Sequence, residues 1–581
     1  MRYFWFSGLL ALLVGACTPL TERTAAAPVR IRWEHDPENL DPLALPTQHA
    51  TEAANLLYLG LLQVDFQTQQ YAPALAEALP NVRLLGDSLT QLEFRLRDAA
   101  TWDDGHPVLA TDVAFTLKLM LCPGLPNEAV RVQWDFIRDI QFDPADPHHF
   151  TLVCEGQAPE YAWVAGDFSL LPEAALDSTH SLRAYSLAAL QTNPALATVP
   201  AVAALARRYQ QADLAHHPER LPGCGPYQLA KWQPNSSLTF QRKPSWWADR
   251  LPAAPSVLQA QPQQLQFSIV PDEASAALAL RRHELDVYPQ VPARSFQRLQ
   301  ASSTARQELA FYTSNSYDLV TVGFNTQLPL LHDKLTRQAL SCLLDPAALL
   351  AGTQLGQGRR TVGLLSPASP FYNDSLPLLA FSPDRAAALL RQAGWQQAGT
   401  GWQRGLAGAT QPRQQLKLTV RYRADESSFA TIALQLRTAA AALGIPIELR
   451  PTEPALLTAT LRDGDFELYV RTLKGNPYGY NFMPILHSRG VGGGNFTRFS
   501  SPATDRLLDD IAAAGPLPRK RRLLRRFQAM LQDEAPLVPL FFLPYRLVAD
   551  RRLGHLLPSG IRPGYAATTI TWDGTPSAPA H

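Results

Sequence analysis

Residues able to carry out covalent or metal chemistry are scattered along the 581-residue chain, and the spacings that chemistry needs are missing. A zinc hydrolase sets two histidines and a glutamate on one helical face as His-Glu-x-x-His. A serine hydrolase lifts its nucleophile on a Gly-x-Ser-x-Gly turn. Neither pattern occurs. Gly490-Val491-Gly492-Gly493-Gly494 looks like a phosphate loop only superficially. It lacks the Lys-Ser/Thr pair and a strand-to-helix junction, so it reads as a surface loop. His148-His149 and His216-His217 read as solvated loop pairs. Asp103-Asp104 and Asp509-Asp510 are neighbours in sequence, which does not make a catalytic dyad. No catalytic residue, metal site or cofactor is assigned, and the chain is expected not to be an enzyme.

One thiol does suggest chemistry. Met1-Arg2 leads into a largely apolar run to Val14, then Gly15-Ala16-Cys17. A charged start, a short apolar core and small residues before a cysteine look like a bacterial lipoprotein signal. Residues 1–16 would be removed, Cys17 would be lipidated, and residues 17–28 would tether the fold. Acyl chains contribute about 0.8 kcal/mol per buried methylene. The expected location is therefore the bacterial cell envelope, lipid-anchored, on a periplasmic or extracellular face. Cys122, Cys154, Cys224 and Cys342 remain. An oxidising compartment permits disulfides, and three complete connectivities are possible. Cys122 with Cys154 is the first pair to test, and buried free thiols are an equal alternative.

Elements that could position a binding site alternate along the chain. Leu92, Phe94 and Leu96 alternate with charged neighbours, as in a half-buried strand, and Thr111 could cap a helix carrying Val113, Leu117 and Met120. Leu416, Leu418 and Val420 predict a strand. Phe429, Ile432, Leu436 and Leu443 then form one helical stripe, stopped by Gly444, and Ile445, Ile447 and Leu449 begin another strand. This β-α-β unit implies parallel pairing. A further strand is predicted over Phe466–Val470. The basic run Arg519-Lys520-Arg521-Arg522 reads as a helix with Leu523, Leu524, Phe527 and Met530 inward and its charges in water. A net charge of +1 gives no electrostatic case for nucleic acid.

An ordered series of motifs resembles the extracellular solute-binding proteins of ABC importers, family 5, of the peptide, dipeptide and nickel type. It runs from Asn39-Leu40-Asp41-Pro42 and Pro73-Ala74-Leu75-Ala76-Glu77 through Phe94–Asp98, Trp102 with Asp104-Gly105, and Thr111–Phe115. It continues with Gly223-Cys224-Gly225-Pro226-Tyr227, Trp246-Trp247, Gly323–Thr326, Arg337–Leu340, Ala393-Gly394-Trp395, Asp463–Phe466 and Pro536–Leu540. Tyr58, Trp102, Tyr227 and Trp395 are expected in the core.

The resemblance implies an α/β, two-lobed periplasmic-binding-protein fold, type II-like and class C, with mixed sheets and two hinge strands. Residues 29–264 would form the first lobe, with an extra subdomain over about 61–165, and residues 265–540 the second. Residues 541–581 would return to the first lobe and end in a tail. The chain would cross near Gln264–Ile269 and return near Val538–Phe542. The implied function is capture of a peptide-like or other small polar solute between the lobes for ABC permease subunits, by a monomer. Alternatives on the same fold are nickel-chelate, sugar or opine binding, with His487 the one hint of metal, or ligand sensing.

By the same resemblance, ligand would meet Leu45, Pro46, Thr47 and Gln48 of the first lobe. In the second it would meet Leu473, Lys474, Gly475, Asn476, Pro477, Tyr478 and Tyr480, with Trp134 and Asn325 as further pocket residues. Peptide binders of the family place an aspartate after the second-lobe strand for the ligand ammonium, and Asn476–Gly479 has no acid. A desolvated ammonium without a counter-charge is costly. Lys474 suits an anionic or neutral polar ligand, so free peptide N-termini are not expected to bind in that way.

Overall fold

A computed structural model describes residues 27–573 except 45–46, 87, 126, 128–130, 132, 400, 406–413 and 516. The expected signal, Cys17, Leu45 and Pro46 lie outside the described residues.

An eleven-stranded sheet runs through the molecule. Its path is Ile447–Thr452, Leu418–Arg423, Leu468–Leu473, Leu309–Phe324, Leu537–Asp550, Val287–Tyr288, Val29–Trp33, Gln264–Ile269, Ser237–Arg242 and Tyr227–Gln233. Arg359–Arg360 joins alongside Leu537–Asp550. The two longest strands belong to both halves. Leu309–Asn315 pairs antiparallel with Pro544–Asp550, and the ladder resumes at Leu319 opposite Phe542. Ser316, Tyr317 and Asp318 therefore face Leu543 alone, a bulge that kinks the pair.

On one side of the bulge, Leu547 and Ala549 pack with Ile31, Trp33, Leu265, Phe267 and Tyr565. On the other, Val320, Val322, Val538 and Leu540 pack with Leu418, Val420 and Leu436. Two cores joined by two strands make a two-lobed molecule. Gln264–Ile269, expected as the first crossing, is instead an inner strand of the first core, parallel to Val29–Trp33. Its Leu265/Phe267 alternation is that of any half-buried strand, so nothing in it marks a crossing.

The predicted β-α-β unit is Leu418–Arg423, helix Ser427–Ala442 and Ile447–Thr452, paired in parallel. Gly444 ends the helix at φ +74°, where a side chain would be strained. The strand predicted at Phe466 begins at Leu468. The helix predicted from Thr111 spans Ala110–Leu121, and Asp112 holds its start by accepting from Leu109 N at 2.9 Å. Gly223 and Gly225 are required by proximity, since a Cβ would lie 2.4 Å from Leu57 O and 2.5 Å from Leu56 O. Tyr58, Trp102, Tyr227 and Trp395 are all buried, and each such ring contributes on the order of 2–3 kcal/mol. The four cysteines after Cys17 are free and buried.

Candidate functional site

Between the lobes lies a cleft of about 560 Å³, a volume suited to a small ligand. Its first-lobe wall begins with the helix Gln48–Leu57. Thr47 caps that helix, its hydroxyl accepting from Ala50 N at 3.1 Å. Ala50, Ala53 and Ala54 turn into the core, so Gln48, Thr51, Glu52 and Asn55 face the cleft at i, i+3, i+4 and i+7. Trp134 lies on the same wall, its ring edge-on to Phe168 at 5.4 Å.

Three carboxylates reach the cleft, and two are engaged. Asp65 accepts from the Ser256 hydroxyl and from Gln67 N and Thr68 N, which fixes a turn. Glu52 accepts from Trp33 Nε1 at 2.9 Å and from the Tyr565 hydroxyl. Burial pushes its pKa up to about 7 against those two hydrogen bonds. Asp167 is different. Its side chain is open to the cleft and accepts one hydrogen bond, from the Tyr71 hydroxyl at 2.6 Å. Desolvation by the surrounding cleft walls raises its pKa against the Tyr71 hydrogen bond.

The second lobe contributes the segment after strand Leu468–Leu473. Gly475 presses against the bulge, where a Cβ would lie 2.6 Å from Tyr317 O. Asn476 Oδ1 accepts from Tyr478 N and Gly479 N at 2.9 and 2.8 Å, a tight turn that aims Tyr478 at the first lobe. The Tyr478 ring lies 4.5 Å from that of Tyr71. Among the described residues its hydroxyl is buried without a hydrogen-bond partner, a burden of about 1–3 kcal/mol on this closed arrangement.

Gln48, Trp134, Gly475, Asn476 and Tyr478 are thus on one cavity. Leu473 ends the strand opposite Leu319. Pro477 O accepts from the Tyr480 hydroxyl at 3.1 Å, and the Tyr480 ring meets Phe371 edge-on inside the second lobe. Lys474 is exposed beside the cleft. Partial desolvation, then Arg562, Arg423 and Arg471, lower its pKa against the pull of Asp318. Asn325 is not a cleft residue. It is buried, and its amide donates to Gly464 O and Phe466 O at 3.0 and 3.1 Å, bracing a loop. His487 is likewise structural, its Nδ1 accepting from Arg489 N at 3.0 Å. Among the described residues no cluster of three or more His, Cys, Asp or Glu could hold a metal.

Two contacts that sequence reasoning missed tie the lobes together. Asp318, in the bulge, accepts from Tyr545 at 2.8 Å and pairs with Arg562 of the returning chain. Lys520, from the helix Leu517–Glu534 of the second lobe, pairs with Glu160 of the first. Lys520 is 1% exposed, so the basic run that reads as solvated holds one buried charge.

The model of bacterial extracellular solute-binding proteins, family 5 Middle, matches residues 70–493. Over 503 residues the chain is 26% identical to Protein XP55 of Streptomyces lividans, covering 84% of this chain and 78% of that protein. The fold matches the oligopeptide-binding protein AppA from Bacillus subtilis, solved with a nonapeptide. The TM-score is 0.73 at 16% identity, over 94% of this chain and 99% of that one. It also matches NikA from Brucella suis, solved with Fe(III)-EDTA, with a TM-score of 0.70 at 18% identity, over 94% and 99% of the two chains. A cleft between two lobes, a paired-strand connection and a family match over most of the length converge: the chain belongs to the bacterial extracellular solute-binding proteins of family 5.

Proposed function

We propose that this protein captures a peptide-like or other small polar solute in the interlobe cleft and delivers it, chemically unchanged, to the permease of an ABC importer. Residues 27–315 and 544–573 serve as the first lobe and 319–542 as the second, hinged at the bulge. The observation that carries the reading is the cleft of about 560 Å³, walled by both lobes and spanned by two strands whose pairing is interrupted at Ser316–Asp318 and again at Val320/Thr321. A ligand that touches both walls binds the closed arrangement better and shifts the population toward it, and a permease can sense that shape. The monomer is lipid-anchored through Cys17 at the cell envelope.

Native mass spectrometry of the freshly purified soluble body, without Cys17, is expected to show a bound small molecule. Scattering is expected to show a smaller radius of gyration when that molecule is restored to the stripped protein. Identical scattering profiles across a broad metabolite library would overturn capture by closure. The anchor has its own test. Cys17→Ala is expected to move the protein wholly into the soluble fraction and to remove the acyl mass from its N-terminal peptide. A variant that stays on the membrane would exclude lipidation at Cys17.

A further inference from the structure

The helix Leu517–Glu534 carries six basic side chains, all between positions 519 and 526, and two acidic ones, Asp533 and Glu534, at its far end. Acids at the start and bases at the end stabilise a helix, because its dipole is positive at the N-terminus. This helix is charged the other way round. Its arginines also oppose one another: Arg519 with Arg522, Arg522 with Arg525 and Arg526, and Arg521 with Arg525 stand three or four positions apart. Neither pattern serves the helix, which is held by Leu524, Phe527 and Leu531 on its inner side.

Of the six bases, Lys520 is buried against Glu160. The five outside the core are all arginine. Arg525 pairs with Asp374 at 2.8 Å, and Arg519 stands 4.0 Å from Asp510. Arg521, Arg522 and Arg526 are exposed, and among the described residues no carboxylate pairs with them. Arg519, Arg522 and Arg526 follow one another at i+3 and i+4 along one face. Leu517, 57% exposed, stands one turn before Arg521 on the neighbouring flank. A guanidinium donates two parallel hydrogen bonds to a phosphate, and an apolar side chain beside such a row suits the boundary between headgroups and acyl chains.

We propose that the water-facing side of this helix is a docking face for an anionic phospholipid surface, its arginines laid against headgroup phosphates. Phosphates relieve the repulsion that the row otherwise carries alone. The whole chain has a net charge of +1, so the attraction belongs to this face and not to the bulk. A lipid at Cys17 would raise the local concentration and let a weak contact suffice. On the delivery reading above, the face holds the second lobe beside the permease, and that reading stands whether or not the face binds lipid.

Flotation of the soluble body, without Cys17, with vesicles tests this. We expect it to partition onto vesicles of phosphatidylcholine and phosphatidylglycerol in about equal parts, not onto phosphatidylcholine alone, and to be released by salt. Arg521→Gln, Arg522→Gln and Arg526→Gln together are expected to weaken that partition about 30- to 150-fold. Unchanged melting of this triple variant checks its fold, since none of the three residues has a carboxylate partner to lose. Lys520→Met removes a charge from the same run but not from the face, and should partition as wild type does. Wild type that ignores phosphatidylglycerol, a triple variant that partitions like wild type, or a loss in Lys520→Met equal to that of the triple variant would each overturn the proposal. If vesicles are ignored while poly-glutamate binds wild type and not the triple variant, the row faces an acidic protein instead of a membrane.

Discussion

Lys520→Met is expected to weaken ligand binding about 5- to 150-fold while leaving the melting of the ligand-free protein nearly unchanged. The reason is where the contact exists. Lys520 pairs with Glu160 across the two lobes and lies over the Tyr480 ring at 5.9 Å. Its counter-charge comes from the other lobe, so parting the lobes breaks the pair. The helix that carries it keeps its anchors Leu524, Phe527 and Leu531 in the second-lobe core, so the fold does not depend on the pair. Closing the variant buries Glu160 against methionine, and a lost coupling of about 1–3 kcal/mol translates into that range of affinity. A double-mutant cycle with Glu160→Gln, read by calorimetry and scattering, isolates the pair. Strictly additive losses, or an affinity equal to wild type in Lys520→Met, would show that the ion pair plays no part in closure.

The same residue shows what the sequence could and could not convey. Inward positions along 517–534 follow the helical period, so Leu524 and Phe527 were legible as core. Lys520 was not, because its burial depends on Glu160, 360 residues away. Short-range requirements were legible throughout. The Gly223–Tyr227 turn and the β-α-β unit each follow from local sterics or period, whereas Gln48 was reached through the family resemblance and the helix it heads was not foreseen. Thr51, Glu52 and Asn55 could have been found as well, since they continue the Gln48 face at i+3, i+4 and i+7. Asp167 carries no such signal. It follows a one-turn helix, Tyr161–Val164, and meets Tyr71 only because the first lobe folds 96 residues of chain between them. Asn325 shows the converse error. Its motif fits the family, yet two buried carbonyls consume its amide. The crossing was misplaced because a half-buried strand looks alike inside a lobe and between lobes, whereas the bulge at Ser316–Asp318 is defined by its partner strand.

Single replacements of His49 and Glu52 are expected to unmask opposite pH dependences of stability that offset one another in the wild type. The two residues lie one turn apart on the cleft helix. Glu52 has a folded pKa of about 7 against an ordinary 4.5, with burial the leading cause. His49, stacked on Trp33 at 4.9 Å, has a folded pKa of about 4 against 6.5. Burial again leads, and His35, Arg32 and Lys474 add repulsion. A raised carboxyl pKa means the folded state holds its proton more tightly. Its contribution is full below pH 4.5 and is lost as pH rises through 7. A lowered imidazole pKa means the folded state resists protonation. Its contribution is full above pH 6.5 and is lost as pH falls through 4. Between 4.5 and 6.5 the slopes have opposite sign and similar size, each worth roughly 2–3 kcal/mol over its window. Relative to wild type, Glu52→Gln should therefore gain stability as pH rises from 4.5 to 7. His49→Gln should lose it, relative to wild type, as pH rises from 4 to 6.5. Melting temperatures of the ligand-free proteins, taken as differences from wild type at each pH, remove the contributions of other titrating groups common to all three. Variants that both track the wild-type profile would show that the two burials do not set these proton affinities. The expected outcome also bears on the cleft. At neutral pH the helix then presents an uncharged His49 and a half-protonated Glu52 to the solute.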